Sequence, residues 1–124
     1  MSARLHGPLH IEHVPKPWGH EIIWARTDRY VGKILHVRAG ESLSLQFHRV
    51  KDETIRVLSG ALHFEVGGET GERQVVRLAA GDGWQIPPGT RHRMTALEDA
   101  DILEVSTPEL DDVVRLEDRY GRTK

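Results

Sequence analysis

The sequence contains no cysteine, so disulfides and thiolate chemistry are excluded, and any bound metal must be held by nitrogen and oxygen ligands. It has no excess of basic charge. Seventeen Lys and Arg residues stand against nineteen Asp and Glu, a net charge of −2, which leaves no electrostatic footprint for nucleic acid or an anionic membrane. No apolar run approaches the length of a membrane span and no signal-like apolar stretch opens the chain, so a cytoplasmic protein is expected. Internal repeats, low-complexity runs and linkers are also missing. At 124 residues the chain can bury about two thirds of its unfolded surface in one core, with no room for a second. A single domain over 1–124 is expected, with an N-terminal arm at 1–14, a barrel at 15–107 and a tail at 108–124.

What the chain does have is a succession of short alternating stretches separated by glycine-containing turns. Residues 21–24, 30–38, 61–66, 73–78, 84–86, 91–97 and 101–107 read as strands, and with the stretches described below they make eight or nine. Such a series predicts an all-β barrel or sandwich. The tail differs: Leu110, Val113, Val114 and Leu116 fall at helix-like spacing before Gly121, which predicts a short C-terminal helix. At the other end, His6, His10 and His13 are spaced too irregularly to share a face, and 1–14 reads as an arm or an edge strand. Trp18 and Trp24 read as packing residues.

Two stretches carry chemistry. In the first, Gly40 to Gly60, side chains two apart on a strand project together, so Gln46 and His48 share a face opposite Leu43, Leu45 and Phe47. Glu53 opens a second strand whose parity continues through Ile55 and Val57. The short polar run Arg49-Val50-Lys51-Asp52 predicts a turn that brings the Glu53 carboxylate back beside the pair. In the second stretch, Gly81 to Ala96, Pro87-Pro88-Gly89 is a turn by its chemistry, and His92 then shares its parity with Met94 and Ala96. His92 should therefore point inward, toward the Gln46, His48 and Glu53 trio. Gln46, His48, Glu53 and His92 are the predicted metal ligands. Between the N-terminal strands and this site, 30–38 alternates with Lys33, Leu35 and Val37 on one face and Ile34, His36 and Arg38 on the other; which face is inside is not legible, so Lys33 and His36 are both candidates.

These stretches closely resemble the paired motifs of the cupin superfamily. The first motif is matched by Gly40, Gln46, His48, Glu53 and Gly60, with Gln46 in the place of a histidine. The second is matched by Gly81, Pro87, Gly89 and His92, with Ala96 in the place of an asparagine. The resemblance implies a double-stranded β-helix, or jelly roll, and by family habit a homodimer. Within the cupins the chain resembles the phosphomannose isomerase domain at the C-terminal end of bifunctional mannose-6-phosphate isomerase/mannose-1-phosphate guanylyltransferases. That likeness rests on Pro17-Trp18-Gly19, Leu43-Ser44-Leu45-Gln46, Val57-Leu58-Ser59-Gly60, Glu104-Val105 and the ending from Asp111 to Arg122. Thr54 and Ile55 depart from it, standing where the family has His and Trp.

The resemblance implies a metal-dependent aldose–ketose isomerase acting on a sugar or sugar phosphate through a cis-enediol. The cofactor is one divalent ion, zinc first, with manganese, iron or nickel also accepted by such ligands. Glu104, as the base, and Lys33 are the candidate catalytic residues, and Arg38, His36 and Arg115, with Lys33 again as a phosphate clamp, are candidates for contacts with the substrate. Competing structural roles are an ion pair of Glu104 with Arg93 or Arg115, and one of Arg115 with Asp118. Two other function classes stay open: a metal-dependent oxygenase or lyase, and a non-catalytic sugar-binding cupin.

Overall fold

The structure, a computed structural model, describes residues 8–123. His6 of the N-terminal arm lies outside them. Eleven strands run through the described residues: β1 (Glu12–Lys16), β2 (Gly19–Arg26), β3 (Val31–Val37), β4 (Leu45–Phe47), β5 (Glu53–Ser59), β6 (Ala61–Gly67), β7 (Gln74–Ala79), β8 (Gly83–Ile86), β9 (Arg91–Ala96), β10 (Ala100–Ser106) and β11 (Val114–Glu117). They form two antiparallel sheets, one in the order β1-β2-β3-β10-β5-β8 and the other in the order β11-β4-β9-β6-β7. From β3 onward the chain changes sheet at every connection except the β6–β7 hairpin, and this alternation makes the jelly roll.

Burial follows strand parity. On β5, Glu53, Ile55 and Val57 are buried while Thr54, Arg56 and Leu58 are exposed; on β9, His92, Met94 and Ala96 are buried. The inward rows of the two sheets meet in one core that includes Leu35, Ile55, Ile86 and Ile102 from one side and Leu62, Phe64, Leu78 and Met94 from the other. Phe64 is fully buried, with its ring 5.6 Å from Trp84 and 6.3 Å from His92, so the apolar core directly backs the inward histidine. Phe64→Ala is expected to lower the unfolding free energy by about 3–5 kcal/mol, a large share of the ~5–15 kcal/mol typical of such domains. Urea titration of wild type and variant checks this, and a change well under 1 kcal/mol would contradict the packing.

Two expectations are corrected. The tail forms no helix; it forms β11, antiparallel to β4, with Val114 opposite Phe47 and Arg115 opposite Gln46. Two adjacent β-branched valines are poor helix formers, and β4 would otherwise lack a partner on one side. The spacing of Leu110 and Val113 reflects their descent into the barrel mouth rather than a helical face. The run 49–52 is also not a hairpin turn, because β4 and β5 belong to different sheets and the chain turns a corner between them. At the N-terminal end of the described residues, Glu12–Lys16 form β1 at the edge of its sheet, paired with β2.

Candidate metal centre

The barrel mouth is lined by side chains from most of the strands around it. Lys33 and Leu35 enter from β3, Gln46 from β4, Glu53 from β5, Met94 from β9 and Glu104 from β10, with Leu110, Val113, Arg115 and Arg122 from the tail. At its inner end His48, Glu53 and His92 converge, each buried, with candidate ligand atoms all within 4.8 Å of one another. Glu53 Oε1 lies 3.3 Å from His48 Nε2 and 3.2 Å from His92 Nε2. The two sequence stretches are joined by backbone as well as side chains: the Gly89 N–H donates to the His48 carbonyl at 2.8 Å, and Gln46 is directly opposite His92 in the β4–β9 register. Gln46 lines the same pocket, with its Oε1 accepting from Ser44 Oγ at 2.7 Å.

The hydrogen bonds behind the histidines decide what this group can do. His48 Nδ1 lies 2.5 Å from the Asp112 carbonyl and His92 Nδ1 lies 2.9 Å from the Thr90 carbonyl. A carbonyl only accepts, so each Nδ1 carries the proton and donates it. In the neutral form of each ring the Nε2 lone pair then faces the Glu53 carboxylate, an arrangement of acceptors that a cation would satisfy. His92 Nε2 and Glu53 Oε2 are buried without a hydrogen-bond partner. Lys51 Nζ is 3.1 Å from Glu53 Oε2, close enough for charge attraction but not aligned as a hydrogen bond. Converging lone pairs on neutral imidazoles, each oriented by a carbonyl behind it, fit a divalent cation. The donor set is nitrogen and oxygen only, which suits zinc, manganese, iron or nickel alike.

Beside the trio lies a line of buried charges. Lys51 Nζ bridges Glu53 Oε2 and Glu104 Oε2 at 3.1 and 3.2 Å, and Lys33 Nζ pairs with Glu21 at 3.3 Å. Glu104 and Lys33 are direct cross-strand neighbours. Burial opposes the Lys51 ammonium, but Glu104 and Glu53 outweigh it and hold its pKa above the ordinary lysine range. Burial likewise opposes the Glu53 carboxylate, yet its contacts with His48 and His92 and the charge of Lys51 bring its pKa well below the usual range. Glu104 goes the other way: burial, then the negative charge of Glu53, raise its pKa, and Lys51 and Lys33 offset only part of this.

The structure brings together Lys33, Gln46, His48, Glu53, His92, Glu104 and Arg115, and places two other candidates elsewhere. The Lys33 face of β3 is the inner one, so His36 and Arg38 point away from the pocket. His36 Nδ1 meets Asp101 Oδ1 at 2.8 Å and its ring stacks on His20, while exposed Arg38 donates to the Pro17 carbonyl at 2.8 Å. The structural pairings expected for Glu104 and Arg115 are also replaced. Arg93 is taken by Glu65 and Glu117, and Asp118 pairs with Arg122 at 2.9 Å, four residues on. Arg115 thus lines the pocket with a buried Nε that has no partner.

Lys51, Glu21 and Ser44 were not identified from the sequence. For Lys51 a signal existed, since it has the parity of Glu53, Ile55 and Val57 and all four are buried. Its place in a short polar connection between strands masked that parity. Ser44 has the parity of Gln46 and His48, which marked its face, while Glu21 carried no comparable mark.

Comparison with known proteins agrees with this architecture. A cupin-domain family model matches residues 33–106. Mannose-1-phosphate guanylyltransferase ManC of Salmonella typhimurium is 37% identical over 117 residues, covering 88% of this chain and 23% of that protein. The xanthan biosynthesis protein XanB of Xanthomonas campestris is 34% identical over 115 residues, covering 89% of this chain and 24% of that protein. The chain therefore spans about a quarter of the length of these curated relatives. Among solved structures, KdgF from Halomonas sp. matches with a TM-score of 0.70 and 25% identity, covering 82% of this chain and 90% of that one. Oxalate decarboxylase of Bacillus subtilis matches with a TM-score of 0.79 at 16% identity, over 93% of this chain and 33% of that one, a likeness of fold alone. On the family match and the two-sheet barrel that carries it, this chain belongs to the cupin family.

Proposed function

We propose that the chain is a metal-dependent aldose–ketose isomerase acting on a sugar phosphate of the mannose type. The observation that carries the reading is the pocket itself, which puts a buried carboxyl of raised pKa, Glu104, in the same cavity as His48 and Glu53, with His92 in contact with Glu53 behind them. His48, Glu53 and His92, with Gln46 alongside, would hold the divalent ion, zinc first. When bound, the ion supplies Lewis acidity toward the carbonyl and neighbouring hydroxyl of an open-chain sugar.

The chain's own groups account for the remaining requirements. Glu104 takes the proton from one carbon and returns it to the next across a cis-enediol, a general-base role suited to a carboxyl whose pKa lies above the usual range. Lys51 holds that carboxylate at 3.2 Å, and Lys33 faces the same cavity as a second positive group. Five cationic side chains line the pocket, Lys16, Lys33, Lys51, Arg115 and Arg122, against the three carboxylates of Glu21, Glu53 and Glu104. With a net charge of −2 over the whole sequence, this local excess of positive charge favours an anionic substrate. Arg115, whose buried Nε has no hydrogen-bond partner among the described residues, suits a phosphate. The relatives named for mannose-1-phosphate chemistry support the same substrate class.

The test is metal analysis of untagged protein, followed by an assay converting mannose 6-phosphate to fructose 6-phosphate on the same samples. About one zinc or manganese ion per chain, with isomerisation that a chelator abolishes and the ion restores, is the expected result. Iron with no isomerisation would transfer the chain to the oxygenase or lyase class, and no metal at all would remove the enzymatic reading.

A further inference from the structure

One residue of the tail makes four hydrogen bonds to the corner that carries the candidate ligands. The Asp112 carboxylate accepts from three consecutive backbone N–H groups, those of Arg49 at 3.0 Å, Val50 at 2.7 Å and Lys51 at 2.8 Å. Its own backbone carbonyl accepts from His48 Nδ1. A few residues earlier in the chain, Thr107 is clasped to the far side of the same corner. Its N–H donates to the Asp52 carbonyl at 3.0 Å, and its Oγ1 accepts from the Asp52 N–H at 3.0 Å. Residues 107–112 therefore strap the corner 48–52 along its full length, immediately outside the buried trio.

The strap does more than pack a loose end. Backbone amides in a corner between two sheets have no ladder partner, and Asp112 supplies acceptors to three of them at once, the arrangement that brings its carboxyl pKa down to about 2. That fixes the course of 49–51 and so the inward aim of Lys51. The Asp112 carbonyl fixes the tautomer and ring orientation of His48, leaving Nε2 bare toward Glu53. An imidazole held from behind by an acceptor is the usual support of a metal-ligating histidine. Without the strap, the His48 ring would be free to turn and its Nδ1–H would lose its acceptor.

We infer that Asp112 is a positioning residue for the metal centre, so that metal binding and docking of the C-terminal strap are thermodynamically linked. This rests on reading His48, Glu53 and His92 as that centre. Linkage is reciprocal: if the docked strap favours the ion, the ion must favour the docked strap by the same factor.

The experiment measures zinc affinity by competition with a chromophoric chelator, for wild type, Asp112→Asn and Asp112→Ala. Amide hydrogen exchange is followed in parallel with and without zinc. Asp112→Ala is expected to weaken binding by about 10–100-fold, the range seen when outer partners of ligating histidines are removed. Asp112→Asn, whose amide oxygen still accepts, should fall between, a graded rescue that keeps the test decisive if the alanine variant folds poorly. The visible spectrum of the Co²⁺ form should change in step, since it reports ligand geometry rather than folding. In the wild type, zinc should slow exchange at 49–51 and 110–115, and in Asp112→Ala it should not. Wild-type affinity in both variants, or tail exchange indifferent to zinc, overturns the linkage while leaving the metal centre standing. A wild-type protein that binds none of zinc, manganese, iron and nickel overturns both.

Discussion

Glu53→Gln is expected to weaken metal binding by more than the ~10–100-fold typical of outer-partner changes, because it alters the only carboxylate in the trio. Its effect on the metal-free protein combines a loss, of the ionised carboxylate that Lys51 attracts, with a gain at the histidines. In that state Glu53 offers lone pairs to two histidine nitrogens that offer lone pairs back, whereas a glutamine amide in the same place can donate to one of them. Lys51 loses one of its two carboxylates but keeps Glu104 at 3.2 Å. Loading a site at 100 times its dissociation constant adds about 2.7 kcal/mol of stability, which for a domain of this size is a rise of several degrees or more in the melting midpoint. A chelator should therefore lower the wild-type midpoint by that amount and leave the Glu53→Gln midpoint unchanged. Calorimetry of four samples, two proteins with and without chelator, decides it. An equal chelator shift in both would mean that the ion binds elsewhere; no shift in either would mean that the trio is an ordinary buried polar cluster.

That asymmetry also explains which parts of the site were legible in the sequence. Strand parity is a local property, readable from residue types alone, and it correctly set Glu53 with Ile55 and Val57, and His92 with Met94 and Ala96, on inward faces. Pro87-Pro88-Gly89 announced its turn for an equally local reason, a fixed φ followed by a glycine at φ 85°. Parity cannot say which of two faces is inside when both carry polar residues. On β3, Lys33 and His36 were equivalent until the neighbouring strands β2 and β10 were in place. Nor can periodicity separate a helix from a strand when a segment dips into a barrel mouth. Leu110, Val113, Val114 and Leu116 have helical spacing because two of them line the pocket and the others belong to or flank a β-ladder.

The partners of charged residues were the least legible part. Arg115 and Asp118 are close in sequence, yet Asp118 is satisfied by Arg122, because the turn at 118–121 brings that guanidinium within 2.9 Å while β11 carries Arg115 inward. Asp112 shows the same limit. Its four contacts lie more than sixty positions back along the chain, and only the closing of the barrel brings them together. Local rules placed the ligands; the supports behind the ligands come from the fold as a whole.

Glu104→Gln should separate chemistry from binding. The variant keeps the shape of the side chain and touches none of the candidate ligands, so metal content is expected to match wild type. Isomerisation should fall by about 10²–10⁴ in kcat, the usual contribution of a positioned acid–base group. Its stability should move in the unaccustomed direction. A carboxyl whose folded pKa is raised binds its proton more tightly in the folded chain than in the unfolded one. Stability from this group is therefore full at pH below the unfolded value and is lost as pH rises through the folded value. Above its raised pKa the ionised Glu104 works against folding, through burial first and the charge of Glu53 second, and Lys51 and Lys33 do not fully offset them. Removing the charge should leave the protein at least as stable at pH 7, and should flatten the decline of wild-type stability between acid and neutral pH. A barrel that keeps a buried acid which works against folding once ionised has retained that acid for something other than folding. Melting midpoints across pH, with kcat measured on the same preparations, test both halves. A variant with wild-type turnover would take the base role away from Glu104, and one that is inactive because it is unstable would assign the residue to the framework of the barrel.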